Sequence, residues 1–456
     1  MIRYIKQIGL YALLITSATA CYVDPSDVVP ATVAVAPTAG TANFSKFVAI
    51  GNSLTAGFAD GGVYREGQLV AYPNLLSQRF ALVGGGAFPQ PLYSVEQKDG
   101  TGYLRLRNVP GGPTAPIIQP FGPGSTGFMS GIIGLNGATP LYAKHVGANN
   151  NFGVAGIKIA DVLTPGYGFS NPVGFNSHFE RLLGTTNATS TYKDYVVANS
   201  TGATFFSMWL GNNDVLGYAT AGGVGTMTDV TTFTTNYQAM IDAITPIASQ
   251  GVLVTIPQVT IAAHFRTITY GALLAQVQAA APTVTALFIE ATGGTRPATA
   301  TDLFLLGAQA DYGNFGKTTV GTGQPFPYGL HPNNPLKDAS VLDVMEVAEI
   351  TLRTNELNAV ISAQATAKGL AFLDVNATGG ALDQANSPAG FLSGRYIYRT
   401  SFISGGVFSL DGIHLTPSGN AIIANELMKV INTKYGSTLP PLTLANYKAV
   451  TVVPLP

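Results

Sequence analysis

The chain has 456 residues, of which 46% are hydrophobic and only 10% are charged, and its formal net charge is −1. This length is enough to bury a sizeable core in one large domain or two ordinary ones. A net charge near zero lacks the basic excess that attracts nucleic acid, so we expect no nucleic-acid partner. The 53 glycines and 28 prolines indicate many turns and ordered loops.

The N-terminus is typical of a secretory targeting segment. Arg3 and Lys6 precede a short apolar stretch that ends in small residues directly before Cys21, the only cysteine. We therefore predict a signal peptide over 1–20. "ATAC" resembles a bacterial lipobox, whose cysteine becomes an acylated N-terminus; an ordinary signal peptide that ends near a cysteine is the alternative. Residues 21–43, rich in Pro, Ala and Thr, would then be a lipid-anchored linker. This predicts that the protein is lipid-anchored in a bacterial cell envelope, with the outer membrane as the expected membrane and either its periplasmic or its surface side as the face.

Short apolar runs alternate with helical patterns along the rest of the chain. The runs read as buried strands at 45–50, 151–155, 203–210, 252–257 and 370–375. Apolar spacing predicts helices over 231–249 and 341–368 and a possible one near 271–281, and Thr416-Pro417 are typical of a helix start. Strands that alternate with helices predict a parallel sheet covered on both faces. The long stretches 83–150 and 259–338 break the rhythm and indicate lids, binding loops or inserted subdomains.

Small polar motifs follow several of these predicted strands. Ser53 comes directly after the first strand in "GNSL", Gly156 follows "NFGVA", and Asn213 lies in "GNND" after the third strand. Asp411 and His414 stand three residues apart in "DGIH", just before the last predicted helix. Because ligands of open parallel sheets gather at the carboxyl ends of the strands, we expect these residues to lie close together.

These four blocks, in this order, resemble the SGNH or GDSL-type esterase and lipase family over residues 45–435. The resemblance implies a flavodoxin-like three-layer α/β/α fold with a parallel sheet of about five strands and a hydrolase domain over 44–440. It implies that Ser53 is the nucleophile, His414 the general base and acid, and Asp411 the residue that orients the histidine. The backbone N–H groups of Ser53 and Gly156 and the side-chain amide of Asn213 would form the oxyanion hole. Residues 441–456 would be a C-terminal tail.

General chemistry agrees with these roles. A serine hydroxyl is a poor nucleophile unless a neighbouring base takes its proton, and histidine suits that task near neutral pH. A carboxylate on the same turn can hold one imidazole nitrogen and stabilise the imidazolium. The family usually has aspartate where Asn52 stands, which we expect to affect local hydrogen bonding more than the reaction. Position 55 is threonine, so the G-x-S-x-G elbow of α/β-hydrolases is absent.

Each residue also has a plainer interpretation. Ser53 could merely cap a helix, Asp411 could end a turn, and Gly156 and Asn213 could be turn residues. We interpret Asp214 as a brace of its loop and Trp209 as a core residue. The remaining histidines lie in loop-like sequence without a matching acid, and we interpret them as surface or structural residues: His145, His178, His264 and His331.

The sequence thus predicts a metal-free and cofactor-free serine hydrolase that acts on a small-molecule or lipid ester. It would contact the membrane through lipidated Cys21, and no obligate protein partner is implied. Two alternatives stay open. One is a polysaccharide O-acetyl esterase of the same fold, and the other is a non-catalytic surface-binding lipoprotein.

Overall fold

The structure is a computed structural model that describes residues 36–107, 117–121, 129–133, 140–169, 175–184, 189–321, 323, 325–450 and 452–453. The predicted signal peptide, Cys21 and most of the predicted linker lie outside the described residues. None of the helices within the described part combines the length and the apolar character needed to cross a bilayer.

The centre of the molecule is a five-stranded sheet in which every strand pair is parallel. Its strands are β1 (Phe47–Gly51), β2 (Asn151–Gly153), β3 (Phe205–Trp209), β4 (Gln250–Val254) and β5 (Ala371–Leu373). The spatial order is β2-β1-β3-β4-β5. The apolar runs form these strands because both faces of the sheet are covered, so that neither face needs polar side chains. The predicted flavodoxin-like α/β architecture is confirmed.

Helices cover the sheet on both faces. The helices of the described residues, including those outside these two layers, are α1 (Ser53–Ala56), α2 (Arg65–Leu69), α3 (Tyr72–Phe80), α4 (Ser177–Leu182), α5 (Tyr192–Asn199), α6 (Asn212–Thr220), α7 (Val230–Ile244), α8 (Ala263–Arg266), α9 (Tyr270–Ala280), α10 (Gln309–Tyr312), α11 (Val344–Lys368), α12 (Ala381–Asn386) and α13 (Pro417–Tyr435). The chain runs from β1 to β2 in one direction and from β3 through β4 to β5 in the other. Right-handed crossovers therefore place α3 on one face and α7 and α11 on the other. α13 packs against α3, and α7 against α11.

Local chemistry explains the bounds of the long helices. α11 begins at a capping box in which Asp343 and Glu346 each accept a hydrogen bond from the other's backbone N–H, and it ends at Gly369 with φ +63°. It starts three residues later than predicted because Val341–Leu342 pair as a short strand with Leu303–Phe304. α7 ends at Ile244 rather than at 249, since the proline at 246 cannot continue a helix. α13 starts as predicted, with Thr416 as N-cap and Pro417 in the first turn.

The two long stretches contain structure of their own. In the first, Tyr103–Arg107 pairs antiparallel with Ile117–Phe121. The second holds α8, α9 and α10 and has a separate small core that includes Leu287, Phe304 and Tyr328. The other short strands are Phe58–Ala59, Gly62–Val63, Met129–Ile133, Pro140–Tyr142, Phe288–Ile289, Arg296–Pro297, Phe391–Ser393, Tyr396–Tyr398 and Val452–Val453.

Both ends of the described chain pack on this body. Thr41 N–H donates to the Tyr435 carbonyl over 2.8 Å, and Asn43 N–H donates to Gln250 Oε1 over 2.8 Å. Beyond α13, Leu439 and Leu442 are buried. The last residues of the predicted linker and the first of the predicted tail region are thus fixed by contacts with the α/β core.

Candidate active site

Ser53 lies at the carboxyl end of β1, which pairs with β2 on one side and β3 on the other. It is the first residue of the one-turn helix α1, and Asn52 caps that helix by accepting a hydrogen bond from Leu54 N–H over 3.1 Å. Asn52 is fully buried and Ser53 is 6% exposed. An aspartate at 52 would provide the same capping acceptor with a negative charge, so the asparagine keeps the local fold. The capping role belongs to Asn52, which leaves the Ser53 hydroxyl free for another partner.

Two glycines allow this tight turn from strand to helix. A Cβ on Gly51 would lie 1.9 Å from Thr55 Oγ1, and a Cβ on Gly153 of β2 would lie 2.2 Å from Ala56 N. Neither distance is possible for a real side chain, so α1 can sit on the ends of β1 and β2 only if both positions are glycine. Asn151 then holds α1 from below by donating to the Thr55 carbonyl over 2.9 Å.

The structure brings Ser53, His414 and Asp411 together in one hydrogen-bonded chain. The Ser53 hydroxyl and His414 Nε2 lie 2.9 Å apart, although the two residues are 361 positions apart in sequence. His414 Nδ1 and Asp411 Oδ2 lie 2.8 Å apart. With the proton on Nδ1, Nε2 is the acceptor for the serine proton, which is the arrangement that general-base activation of a serine requires.

Asp411 is held ionised by its surroundings. Its Oδ1 accepts from the backbone N–H groups of Ile413 and His414 over 2.8 Å each, and its Oδ2 accepts from Gly61 N–H over 2.9 Å. Burial alone would raise the pKa of Asp411, but the charge of His414 and these hydrogen bonds outweigh it and hold the pKa well below its ordinary value. A permanently charged acid can fix the histidine ring and stabilise its protonated form.

The three proposed oxyanion donors follow three neighbouring strands. Ser53 follows β1, Gly156 follows β2 in a turn with φ +83°, and Asn213 lies in the first turn of α6 after β3. Asn213 Nδ2 donates to the carbonyl of Ile157 over 2.9 Å, which ties α6 to the residue next to Gly156. An amide nitrogen carries two protons, so one remains for a ligand. The positive φ explains why glycine stands at 156.

Asp214 braces the turns beside the site, as predicted. It is 1% exposed, and its carboxylate accepts from Ile159 N–H over 2.7 Å and from Ala160 N–H over 3.2 Å. Burial raises its pKa to about 6. Trp209 is likewise buried, as predicted, and its indole N–H donates to the Thr255 carbonyl over 3.0 Å.

The interpretation of the other histidines needs two corrections. His178 lies in α4 and His264 in α8, so neither is in a loop. His264 also does not lack a neighbouring acid: its backbone N–H donates to the Gly412 carbonyl over 2.9 Å, and its ring lies against the Asp411 turn. Its Nε2 is buried without a hydrogen-bond partner, and burial lowers its pKa. The contact arises because the 259–338 stretch folds back onto the catalytic turn, which no local pattern encodes.

Sequence reasoning also missed a small hairpin that touches the catalytic turn. Phe58–Ala59 pairs with Gly62–Val63 across Asp60-Gly61, both of which have positive φ. The Asp60 carboxylate accepts from Leu410 N–H over 2.9 Å and from the Tyr64 hydroxyl over 2.7 Å. The Phe58 ring lies 4.4 Å from the His414 ring, measured between centroids. The Asp-Gly pair between short apolar segments was the signal that could have revealed this hairpin.

An apolar cavity of about 60 Å³ opens beside the serine. Ser53, His414 and Asn213 line it together with mostly apolar side chains, which are Leu54, Trp209, Leu216, Val259, Ile261, Leu382, Phe408, Ile413, Leu415 and Ile423. The cavity therefore joins the reactive group, the base and an amide donor to a hydrophobic wall. Within the described residues, no group of three or more His, Cys, Asp or Glu side chains is placed to hold a metal ion.

Comparisons with known proteins add little to this geometry. No family model and no curated protein matches the chain. The crystal structure of an extracellular lipase from Streptomyces rimosus is similar at 13% identity and a TM-score of 0.33, over 85% of this chain and 98% of that one. Because this likeness is remote, function has to be inferred from the site itself.

Proposed function

We propose that the protein is a serine-dependent carboxylic ester hydrolase of the SGNH type that works through an acyl-enzyme. The observation that carries the proposal is the unbroken hydrogen-bonded chain from Ser53 through His414 to Asp411, at 2.9 and 2.8 Å. A serine that served only to cap a helix would have no use for the histidine, and here Asn52 provides the cap.

The geometry supports the following sequence of steps. His414 Nε2 takes the Ser53 proton while the serine oxygen attacks the ester carbonyl carbon. The carbonyl oxygen becomes an oxyanion, and we assign its stabilisation to hydrogen bonds from the N–H groups of Ser53 and Gly156 and the side-chain amide of Asn213. The intermediate collapses, and His414 returns the proton to the leaving alcohol. Water then attacks the acyl-enzyme by the same route and releases the acid and the free serine.

The wall of the cavity favours an ester with an apolar group next to the carbonyl. Most side chains that line the cavity are aliphatic or aromatic, and among the lining residues His414 is the only one that can carry a charge. The other polar side chains are Ser53 and four amides, which are Asn52, Asn212, Asn213 and Gln258. An acyl chain would gain hydrophobic contact there, whereas an acetyl group on a sugar would leave most of the wall uncovered. We therefore favour an apolar acyl ester over a polysaccharide acetyl ester.

The test is hydrolysis of p-nitrophenyl esters, from acetyl to long-chain, by the wild-type protein and by Ser53→Ala. We expect the variant to lose activity by roughly 10⁴-fold or more, because the nucleophile acts as a unit with its base. Ser94→Ala, at an exposed serine, is the matched control and should behave like wild type. The chain-length optimum should lie above acetyl.

Three outcomes would count against the proposal. Unchanged activity in folded Ser53→Ala would remove the serine mechanism. A sharp preference for acetyl groups on sugars would replace the lipid or acyl ester with the polysaccharide substrate. Absence of any hydrolysis, together with no covalent labelling of Ser53 by a fluorophosphonate, would leave the non-catalytic binding protein.

We further propose that the protein is exported and anchored through acylated Cys21. The support is the "ATAC" sequence at the end of the apolar N-terminal stretch. Metabolic labelling with a fatty acid should mark the wild type and not Cys21→Ser. Equal labelling of both would refute the anchor.

A further inference from the structure

A two-stranded hairpin after α12 presents apolar side chains to solvent. Phe391–Ser393 pairs antiparallel with Tyr396–Tyr398 across Gly394 and Arg395, and Leu392 lies directly opposite Ile397. Residues on one strand alternate between faces, so Leu392 and Ile397 share one face and Phe391 and Tyr398 share the other. Phe391 and Tyr398 pack on the main core, which turns the face of Leu392 and Ile397 outward.

This outward face reverses the usual pattern of a surface hairpin. On this face Leu392 is 64% exposed and Ile397 is 49% exposed. Tyr396, which is on the other face beside the turn, is also 49% exposed. A hairpin with one face on the core normally has polar side chains on its other face. A cross-strand pair of exposed aliphatic residues at the end of a projecting hairpin therefore needs an explanation beyond strand formation.

The hairpin itself carries only positive charge, and the nearest acids along the chain are Asp383 of α12 and Asp411. Residues 384–410 contain Arg395 and Arg399 but no Asp, Glu, Lys or His. Arg399 donates to the carbonyls of Pro388 and Ala389, whereas Arg395 at the turn is exposed. Aliphatic and aromatic side chains beside an exposed arginine suit a surface that is apolar below and anionic at its edge.

The hairpin also lies next to the catalytic cavity. α12 packs against the strand Phe391–Ser393, and Leu382 of α12 lines the cavity that contains Ser53. A surface that covered the hairpin would thus stand one helix away from the serine. The short distance between hairpin and serine has a functional consequence only through the proposed ester hydrolysis. The surface contact itself does not depend on that activity.

We propose that this hairpin docks the protein onto an anionic lipid surface, with Leu392 and Ile397 entering the apolar layer and Arg395 meeting the head groups. A protein partner is the less suitable occupant, because three side chains fall far short of the roughly 800 Å² per partner of a stable interface. A bilayer needs no such area, since each aliphatic side chain that enters it contributes independently. Docking would hold the cavity close to lipid esters.

A probe at position 392 tests the contact locally. In the full chain carrying Cys21→Ser, Leu392→Cys provides one thiol for an environment-sensitive fluorophore. We expect a blue shift and a several-fold rise in emission on vesicles of phosphatidylcholine with phosphatidylglycerol, and a weaker effect on phosphatidylcholine alone. The matched control is Leu352→Cys. Leu352 is 60% exposed and lies on α11, which covers the face of the sheet opposite to the one covered by α12 and α13. Because the readout is local, an N-terminal segment that binds vesicles cannot imitate it.

A second variant connects docking with hydrolysis. In the chain without a fluorophore, Leu392→Ser combined with Ile397→Ser should weaken vesicle binding about tenfold. Hydrolysis of esters carried by the vesicles should fall by a similar factor. Hydrolysis of a water-soluble short-chain ester should be unchanged, because neither residue lines the cavity. Loss of both activities in a protein with an unaltered melting temperature would contradict docking as the cause.

The outcomes separate the two proposals. Equal or absent shifts at 392 and 352 would refute docking and leave the hydrolase proposal untouched. An emission shift at position 392 that appears without vesicles when the protein concentration is raised, together with a dimer in sedimentation, would show that two copies of the chain contact each other there. That result would overturn the proposal of a lipid surface. A vesicle-dependent shift in a chain without esterase activity would support docking and refute the hydrolase.

Discussion

Hydrogen bonds hold the side chains of Ser53, His414 and Asp411 in the one arrangement on which the catalytic proposal depends. Asn52 takes the capping role, so the Ser53 hydroxyl points to His414. Asp411 accepts from three backbone N–H groups besides the imidazole, so its carboxylate cannot turn away from the ring. His414 is therefore fixed between a charged acceptor and the serine before any ligand arrives.

We expect Asp411→Asn to lower kcat by about 10⁴-fold, the size of loss typical of serine hydrolases whose acid becomes an amide. The amide can donate to Nδ1, which places the ring proton on Nε2, where it faces Ser53 and cannot accept the serine proton. Steady-state kinetics on a soluble ester measures the effect. Asp383→Asn, at an exposed acid of α12, is the control. A loss of less than tenfold would show that the aspartate is dispensable.

Small elements, rather than long ones, hold the site in place. α1 has four residues and the hairpin of Phe58–Ala59 and Gly62–Val63 has two-residue strands, yet both touch the reacting groups. Neither element is stable alone, since short helices and isolated hairpins are marginal in water. They persist because the sheet edge and the Asp411 turn supply their partners.

Asp60 is a positioning residue in this hairpin, and its removal should act through Asp411. Asp60→Ala deletes the acceptor for Leu410 N–H, which loosens the turn that carries the acid. We expect kcat to fall roughly 10- to 100-fold with little change in KM, a range typical of supporting groups. Asp60→Asn keeps one acceptor oxygen and should restore most of the rate. Equal losses in both variants would contradict the positioning role.

The start of α13 should contribute to stability rather than to chemistry. The Thr416 hydroxyl accepts from Gly419 N–H over 3.0 Å and donates to the Gly406 carbonyl over 2.6 Å. We expect Thr416→Ala to lower the free energy of unfolding by about 1–2 kcal/mol, and Thr416→Ser to recover most of it. Urea unfolding measures both. If the serine variant were as unstable as alanine, the cap would not be the cause.

At the scale of the whole molecule, the order of the strands decides where the residues meet. The sheet runs in opposite directions from β1, toward β2 on one side and toward β3 on the other. Loops that leave neighbouring strands on opposite faces open a crevice at the carboxyl ends, which is where α/β sheets bind ligands. Ser53 lies at that point, with Gly156 and Asn213 on either side.

Asp214 links the turns of this crevice, and its titration should appear in the stability of the whole fold. Its pKa is about 6 in the folded protein and ordinary when unfolded, so the folded state holds the proton more tightly. Stability should therefore fall as pH rises from about 4 to 6.5, by about 2 kcal/mol relative to Asp214→Asn, which does not titrate. Unfolding free energies of both proteins at pH 4, 5 and 6.5 measure the difference. Parallel curves would contradict it.

Much of this protein can be predicted from its sequence because the relevant physics is local. Apolar runs that are buried on both faces mark the strands, and Thr416-Pro417 and Lys368-Gly369 mark helix ends. The motifs that follow the strands identify Ser53 as a candidate nucleophile, because parallel strands bring their carboxyl ends to one edge. The roles that the resemblance assigns to these residues remain predictions for the experiments above.

Only the tertiary structure decides what lies beside these motifs. The contacts of Phe58, Asp60 and His264 with the catalytic turn join residues that are at least 148 positions apart, and no local pattern encodes such a pairing. The outward apolar face of the 391–398 hairpin is likewise invisible in the sequence, where no pattern marks Leu392 and Ile397 as exposed residues. The physical reason is the same in both cases: a local pattern specifies an element, whereas the packing of the whole chain specifies which face is covered and by what.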